Sequence, residues 1–300
     1  LVFDVGGRGD KSFNDSAFEG LARAERELGV EVQYLEPVGA EDREAALRLF
    51  AAQGMDLVIG VGFIFSIDVD AVAKDYPTVH FACVDYAPRG ATPPNVTGLA
   101  FREEEGALLV GAAAGLATRT KHVGFVGGMT IPLIRKFEAG YAQGVLLTCP
   151  DCTVHSGYAG STPEAFKDPA KGKLLAKAQM AAGADVLFHA AGATGHGVFE
   201  AAREGGALAI GVDSDQHDEM PGTVATSMVK RVDVAVFEIV REIAETGRAS
   251  GGVRRLGLKD HGVDWVHEGP HAELLSPELV ATVEAIRADV VEGRIVAKSD

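Results

Sequence analysis

Short apolar runs closed by glycine or an acid alternate along this chain with longer stretches in which apolar residues return every three or four positions. The short runs have the composition of strands buried on both faces, and the longer ones have the period of helices laid against them. The pattern predicts strand 1–5, helix 14–28, strand 30–35, helix 41–53, strand 56–61, helix 66–75 and strand 78–84. The first helix shows the local logic. Ser12 or Asn14 stands at its start as a cap, Phe18, Leu21 and Leu28 follow one face, and Gly29 stops it.

A second alternation follows the run NVTGLAF. It predicts helix 103–118, strand 122–127, helix 133–147, strand 153–158, helix 164–182, strand 185–190, helix 196–205 and strand 207–212. After VATSMV come helix 229–246, a strand near 253–258 and helix 277–292. Repeated strand–helix–strand units imply an α/β class with doubly wound parallel sheets. No linker rich in proline, serine or charge separates the halves, so the join near Phe101 to Glu103 is expected to be a crossing strand. The expected lobes are 1–102 with about 228–256, and 103–227 with about 257–300, with three crossings between them.

Composition narrows the partners. With 47% hydrophobic residues in 300, the chain has material for sizeable cores, and its net charge of −15 argues against a nucleic acid as general partner. ALLVGAAAGLA, 107–117, is too short to span a bilayer, and its small residues mark a helix packed closely on a neighbour. Of three cysteines, Cys83 lies in an apolar run and is expected to be buried, while Cys149 and Cys152 form CPDC. A redox CxxC of the thioredoxin type precedes a helix, whereas this one follows a helical stretch. The expectation is a loop disulfide and an oxidising compartment.

Three apolar runs deliver a carboxylate at their exits: Asp4, Asp85 and Asp213. Ligands of open α/β sheets bind beyond the carboxyl ends of the strands. Singly, each acid is a turn residue or a cap; together they would repel one another unless something satisfied them. They suit the N–H and O–H donors of a polar, uncharged molecule. Magnesium is the competing occupant, but GxxxxGK[ST] is absent and no metal site is expected.

Aromatic residues near the same exits are Phe13, Phe63, Phe65 and Phe199. Phe13 stands out, because it lies among polar neighbours beside a glycine turn and offers a flat face for stacking. HAAGATGHGVF, from His189 to Phe199, joins a strand exit to a helix start through glycines whose N–H groups suit ligand oxygens. His189 and His196 lack partners at metal-ligand spacing and are expected to be packed or solvent-facing. Lys230 and Arg231 are placed by the pattern in a first helical turn, where the dipole disfavours cations. Such a broken rule fits either a functional lysine or simple pairing with Asp233. RGD at Arg8 to Asp10 carries no weight, and no G-x-S-x-G elbow or paired nucleophile marks an enzyme.

DVGGRGDKSFNDSAFEGL, AGATGHGVFEAA, GVDSDQ, TSMVKRVD and GLKDHGVDW, in this order, resemble the basic membrane protein family of bacterial substrate-binding lipoproteins. The resemblance covers nearly the whole chain. It implies a type I periplasmic binding protein fold, two lobes joined by a three-stranded hinge, and service to an ABC importer. It also implies a purine nucleoside as ligand, no cofactor and no catalysis. By the resemblance, Asp4 and Asp85 bond the base edge with Asn14 beside them, and Phe13 stacks on one face of the base. Phe199 is the candidate for the opposite face. Asp213 matches the acid that grips ribose hydroxyls, Lys230 the lysine supporting it, and Gly192 and its neighbours supply backbone contacts.

A membrane permease is the implied partner, and a monomer outside the cytoplasm, lipid-anchored through a cysteine upstream of Leu1, is the expectation. The alternatives are a binding protein for a flavin or a sugar, a carboxylate- or metal-dependent enzyme of nucleoside metabolism, and a ligand-sensing regulator. The regulator is disfavoured by the absence of a helix-turn-helix or basic segment.

Overall fold

Apolar runs rich in β-branched residues form parallel strands, and they do so in two separate compact units. The structure, a computed structural model, describes residues 1–39 and 42–300. The first unit is Leu1–Phe101 with Arg231–Leu256, and the second is Arg102–Lys230 with Gly257–Asp300. The chain therefore changes unit three times, at 101/102, 230/231 and 256/257. Arg102 and residues 228–230 fall in the second unit, not in the first as the pattern expects. The reason is that β8, Val224–Lys230, stays hydrogen-bonded to the second sheet down to Lys230.

In the first unit, β1 (Leu57–Val61), β2 (His80–Val84), β3 (Val96–Phe101) and β9 (Gly252–Leu256) pair in parallel in the order β1-β2-β3-β9. The predicted strand 1–5 is present as a bridging segment. Val2 N–H donates to the Ile59 carbonyl at 2.8 Å and Phe3 N–H to the Leu35 carbonyl at 3.0 Å, and only Leu35 of the predicted strand 30–35 bridges back. The helices are α1 (Phe13–Leu28), α2 (Asp42–Ala52), α3 (Ser66–Asp75) and α8 (Val232–Thr246). The first residue of the helix predicted over 41–53 lies outside the described residues. Gly29 closes α1 in the left-handed conformation at φ 67°, as its position predicts. Its start differs. Ser12 is the N-cap residue but makes no side-chain cap bond, and buried Asp10 instead accepts from the N–H groups of Ser12, Asn14 and Asp15 at 3.0, 2.8 and 3.1 Å.

In the second unit, β4 (His122–Met129), β5 (Thr153–Gly160), β6 (Val186–Ala190), β7 (Leu208–Asp213), β8 and β10 (Val263–Trp265) follow the order β10-β8-β7-β6-β4-β5. All pair in parallel except the short β10, which the sequence pattern does not predict. The helices are α4 (Glu103–Ala117), α5 (Pro132–Thr148), α6 (Pro169–Ala181), α7 (Gly195–Gly205) and α9 (Pro277–Val291). Two predictions are corrected. The helix expected over 164–182 is a 3-10 turn at Pro163–Phe166 followed by α6, because Pro169 disfavours helix in the residue before it and Asp168 restarts the helix by capping the Lys171 N–H at 2.9 Å. The helix expected from 229 starts at Val232, so Lys230 ends a strand and Arg231 is the N-cap residue. The dipole conflict read into Lys230 therefore does not exist.

The small residues of ALLVGAAAGLA pack α4 directly on α5. A methyl group at Gly111 would run into the Tyr141 carbonyl, one at Gly144 into the Leu108 carbonyl, and one at Gly140 into the Glu104 carbonyl. Gly144→Ala is accordingly expected to lower stability by about 1–3 kcal/mol despite its better helix propensity. Urea unfolding at unchanged slope is the measurement, and no loss would refute the close contact. Cys149 and Cys152 are joined in a disulfide in the loop between α5 and β5, and Cys83 is buried. Among the described residues, no helix is long and apolar enough to cross a membrane.

Candidate functional site

Each sheet presents polar side chains at the carboxyl ends of its strands. In the first unit these are Asp4 and, after β2, Asp85, with Gly62 after β1 set against Asp4. Asp4 Oδ1 accepts from the Val5 N–H at 2.6 Å, and the Asp4 N–H donates to Asn14 Oδ1 at 3.0 Å. Asn14 is fixed in turn: its Nδ2 donates to Asp10 Oδ2 at 3.0 Å. Gly62, at φ 106°, lies against the Asp4 carboxylate so closely that any side chain there would displace it. Phe13, the first residue of α1 and the chain neighbour of Asn14, is half-buried.

The electrostatics of this half-site are unusual. Burial lifts the Asp4 carboxyl from 3.8 to about 7, with Asp85 and Asp10 adding to the rise and the Val5 amide and Arg43 opposing it. Asp85 is 8% exposed and sits at φ 58°. Left-handed backbone is uncommon for a residue with a side chain and tolerated best by Asn and Asp. Such conformations concentrate at functional sites.

The second unit repeats the device. Asp213 ends β7 at φ 67° and is also 8% exposed. The turn after it is braced by Gln216, whose Oε1 accepts from the Val212 N–H at 2.8 Å and whose N–H donates to Ser227 Oγ at 3.0 Å. On the neighbouring strand, Val229 is the register partner of Asp213, which brings Lys230 to the same edge. Lys230 is 2% exposed and its Nζ lies 3.1 Å from Glu103 Oε1, itself on a residue 1% exposed. Lys136 Nζ donates to the other Glu103 oxygen at 3.1 Å. Gly192 opens the turn after β6 at φ 53°, against the Phe166 main chain.

Asp4, Asn14, Phe13 and Asp85 thus gather in one unit, and Asp213, Lys230 and Gly192 in the other. Phe199 is the correction. It is 1% exposed, belongs to the core with Val198, Ala201 and Ala202, and meets His189 edge-on at 4.9 Å, so its ring faces are committed to packing. The apolar stripe of α7 turns it inward.

The structure adds three residues that the sequence reading does not single out. Phe166, half-buried at the end of the 3-10 turn, lies close against Gly128 at the exit of β4 and beside Gly192. Its signal, an aromatic residue before a DP helix start, is faint because the apolar period places it inside the helix predicted over 164–182. Asp10 and Glu103 are the other two. Glu103 is visible only as one of three acids opening α4, where a helix N-terminus favours them. Among the described residues, no group of three or more His, Cys, Asp or Glu is placed to hold a metal ion.

Comparison with known proteins agrees with this architecture. The Bmp family model, described as ABC transporter substrate-binding protein PnrA-like, matches residues 1–298. The chain is similar to the ABC transporter nucleoside-binding protein BmpA of Lactococcus lactis, 32% identical and covering 100% of this chain and 88% of that protein. It is similar also to a Pyrococcus horikoshii protein named an uncharacterized lipoprotein, 37% identical over 88% of this chain and 67% of that one. Among solved structures, the ABC transporter solute-binding protein of Aeropyrum pernix superposes with a TM-score of 0.89. It is 33% identical and covers 100% of this chain and 93% of that one.

Proposed function

The chain belongs to the Bmp family, the PnrA-like substrate-binding proteins of ABC transporters and not enzymes, and from that premise we propose that it captures a purine nucleoside between its two half-sites. The observation that carries this reading is the pair of left-handed strand-exit acids, Asp85 and Asp213, one in each unit. Asp4 and Asp85 accept the N–H donors of the base edge, with Asn14 holding the Asp4 backbone. Phe13 stacks on one face of the base and Phe166, in place of Phe199, on the other. Asp213 accepts from the ribose hydroxyls, Lys230 supports it, and Gly192 donates backbone N–H.

The charge balance favours a nucleoside over a nucleotide. The Lys230 ammonium beside Asp213 is already matched by buried Glu103 and so is not a spare charge for a phosphate. Closure about the three chain crossings makes binding tight, because each half-site holds half of the ligand and only the closed form engages both. Stacking and charge-assisted bonds in such a cleft fit submicromolar affinity, about 8 kcal/mol or more. The relatives named lipoproteins and the transporter family support an extracytoplasmic location, a lipid anchor upstream and a membrane permease as partner.

Calorimetric titration with matched nucleosides and free bases tests the assignment. Asp213→Ala is expected to weaken nucleosides on the order of 100-fold while changing free bases by less than about threefold. Equal losses for both would remove Asp213 from the ribose. Absence of nucleoside binding by the wild-type chain would overturn the reading itself.

A further inference from the structure

The turn that carries Asp213 is tied down by a histidine from a distant part of the second unit. His271 lies in a 3-10 segment, Gly269–Glu273, between β10 and α9, and its side chain is 0% exposed. Its Nδ1 lies 2.9 Å from the Ala225 carbonyl on β8. Its Nε2 lies 3.0 and 3.1 Å from the two carboxylate oxygens of Asp215, two residues after Asp213. Both ring nitrogens therefore face oxygens that only accept. A neutral imidazole donates from one nitrogen alone, so only the imidazolium satisfies both contacts.

The surroundings favour that state. Asp215 and Asp218 face the ring from the β7–β8 connection, and His217 meets it edge-on at 5.0 Å. Burial pushes the imidazole down, but the bonds to Asp215 and Ala225 outweigh it and leave His271 above its ordinary value. Asp215 responds in the opposite sense: its bond to His271 holds it below the usual carboxylate range. Asp215 Oδ1 also accepts from the His217 N–H at 3.1 Å, so the carboxylate that His271 grips organises the turn as well.

The geometry points to His271 as a positioning residue, a buried imidazolium that clamps the Asp213 turn to β8 and keeps the ribose acceptor in its left-handed conformation. It touches no proposed ligand group and acts through Asp215. A group whose folded value is raised holds its contribution below the unfolded value and loses it as pH rises through the folded one. The clamp is thus intact below the ordinary imidazole value and is released as pH rises through the raised folded one. Release should loosen ribose recognition while the base half-site in the other unit keeps its own contacts. This consequence rests on the nucleoside reading above; the clamp does not.

Two measurements on the full chain separate the clamp from that reading. Ring-nitrogen NMR followed across pH should show His271 keeping both nitrogens protonated to higher pH than a free imidazole, and Asp215→Asn should bring its titration down. Hydrogen exchange of residues 213–217 at one fixed pH should quicken in His271→Gln, with the sheet core unchanged. A His271 that titrates no higher than a free imidazole, or unaltered exchange in a folded variant, overturns the clamp whatever the ligand is. In calorimetry, His271→Gln should weaken nucleosides about tenfold, leave free bases within error, and flatten the loss of affinity expected for wild type as pH rises. Equal losses for nucleosides and bases would refute the positioning role. If wild type binds no nucleoside, the ligand assignment falls, and the NMR and exchange results alone decide the clamp.

Discussion

Asp4→Asn is expected to weaken the best-bound nucleoside on the order of 100-fold and at the same time to make the ligand-free protein more stable at about pH 8. The two effects share one cause. Burial lifts the folded Asp4 carboxyl to about 7 from 3.8, so the native state holds a proton that the unfolded chain has already released. Stability therefore falls as pH rises from about 4 to about 7, by at most roughly 4 kcal/mol for this group. An asparagine keeps the acceptor for the Val5 N–H and carries no charge to bury. The stability advantage of the variant should grow between about pH 5 and pH 8 and vanish in acid. Thermal melts of both proteins across that range are the check, and a difference independent of pH would show that Asp4 is not strained by ionisation. A ligand that donates N–H to this carboxylate must favour its ionised form. Nucleoside binding near neutrality should then release protons, detectable as a heat that depends on the buffer.

The second large effect is on folding. Lys230→Met removes the ammonium from Glu103, a residue 1% exposed, and leaves Lys136 as the remaining cation against that carboxylate among the described residues. Breaking a buried pair from one side typically costs about 3–5 kcal/mol, because an uncompensated charge remains. Lys136 is partly exposed and compensates in part, so we expect about 3 kcal/mol and a melting temperature lower by roughly 5–10 °C. Adding Glu103→Leu to Lys230→Met should restore most of the stability, since two apolar groups of similar size bury without charge. The double variant should still bind nucleosides poorly. Were Lys230→Met to melt like wild type, the ion pair would not be a support of the second unit, and the charge argument against nucleotides would weaken with it.

Much of the fold is legible in the pattern of apolar residues, and the reason is local. A strand buried on both faces must be apolar throughout, and a covering helix must be apolar on one side, whatever the rest of the chain does. That is why α3 runs over Ser66–Asp75 as predicted, and why the glycines of ALLVGAAAGLA mark close helix packing before any neighbour is known. The misreadings have local causes too. Pro169 splits a stretch whose apolar period runs straight through it, and VATSMVK continues as strand past the point where a helical period is already readable.

Of the candidate site, the sequence by itself determined where the proposed acids stand: Asp4 and Asp85 end apolar runs of one unit and Asp213 ends one of the other, and in a parallel sheet the ends of such runs lie at the carboxyl edge. It also proposes Phe13, by an aromatic ring set among polar neighbours. Only the tertiary structure decided which rings are spent in the core, turning Phe199 inward and leaving Phe166 half-exposed. It alone joined Lys230 to Glu103, Asp10 to the start of α1, and His271 to Asp215. Periodicity records which side of its own element a residue faces. Which side chain waits on the other side of a contact is set by how distant elements pack, and no window of sequence contains both partners.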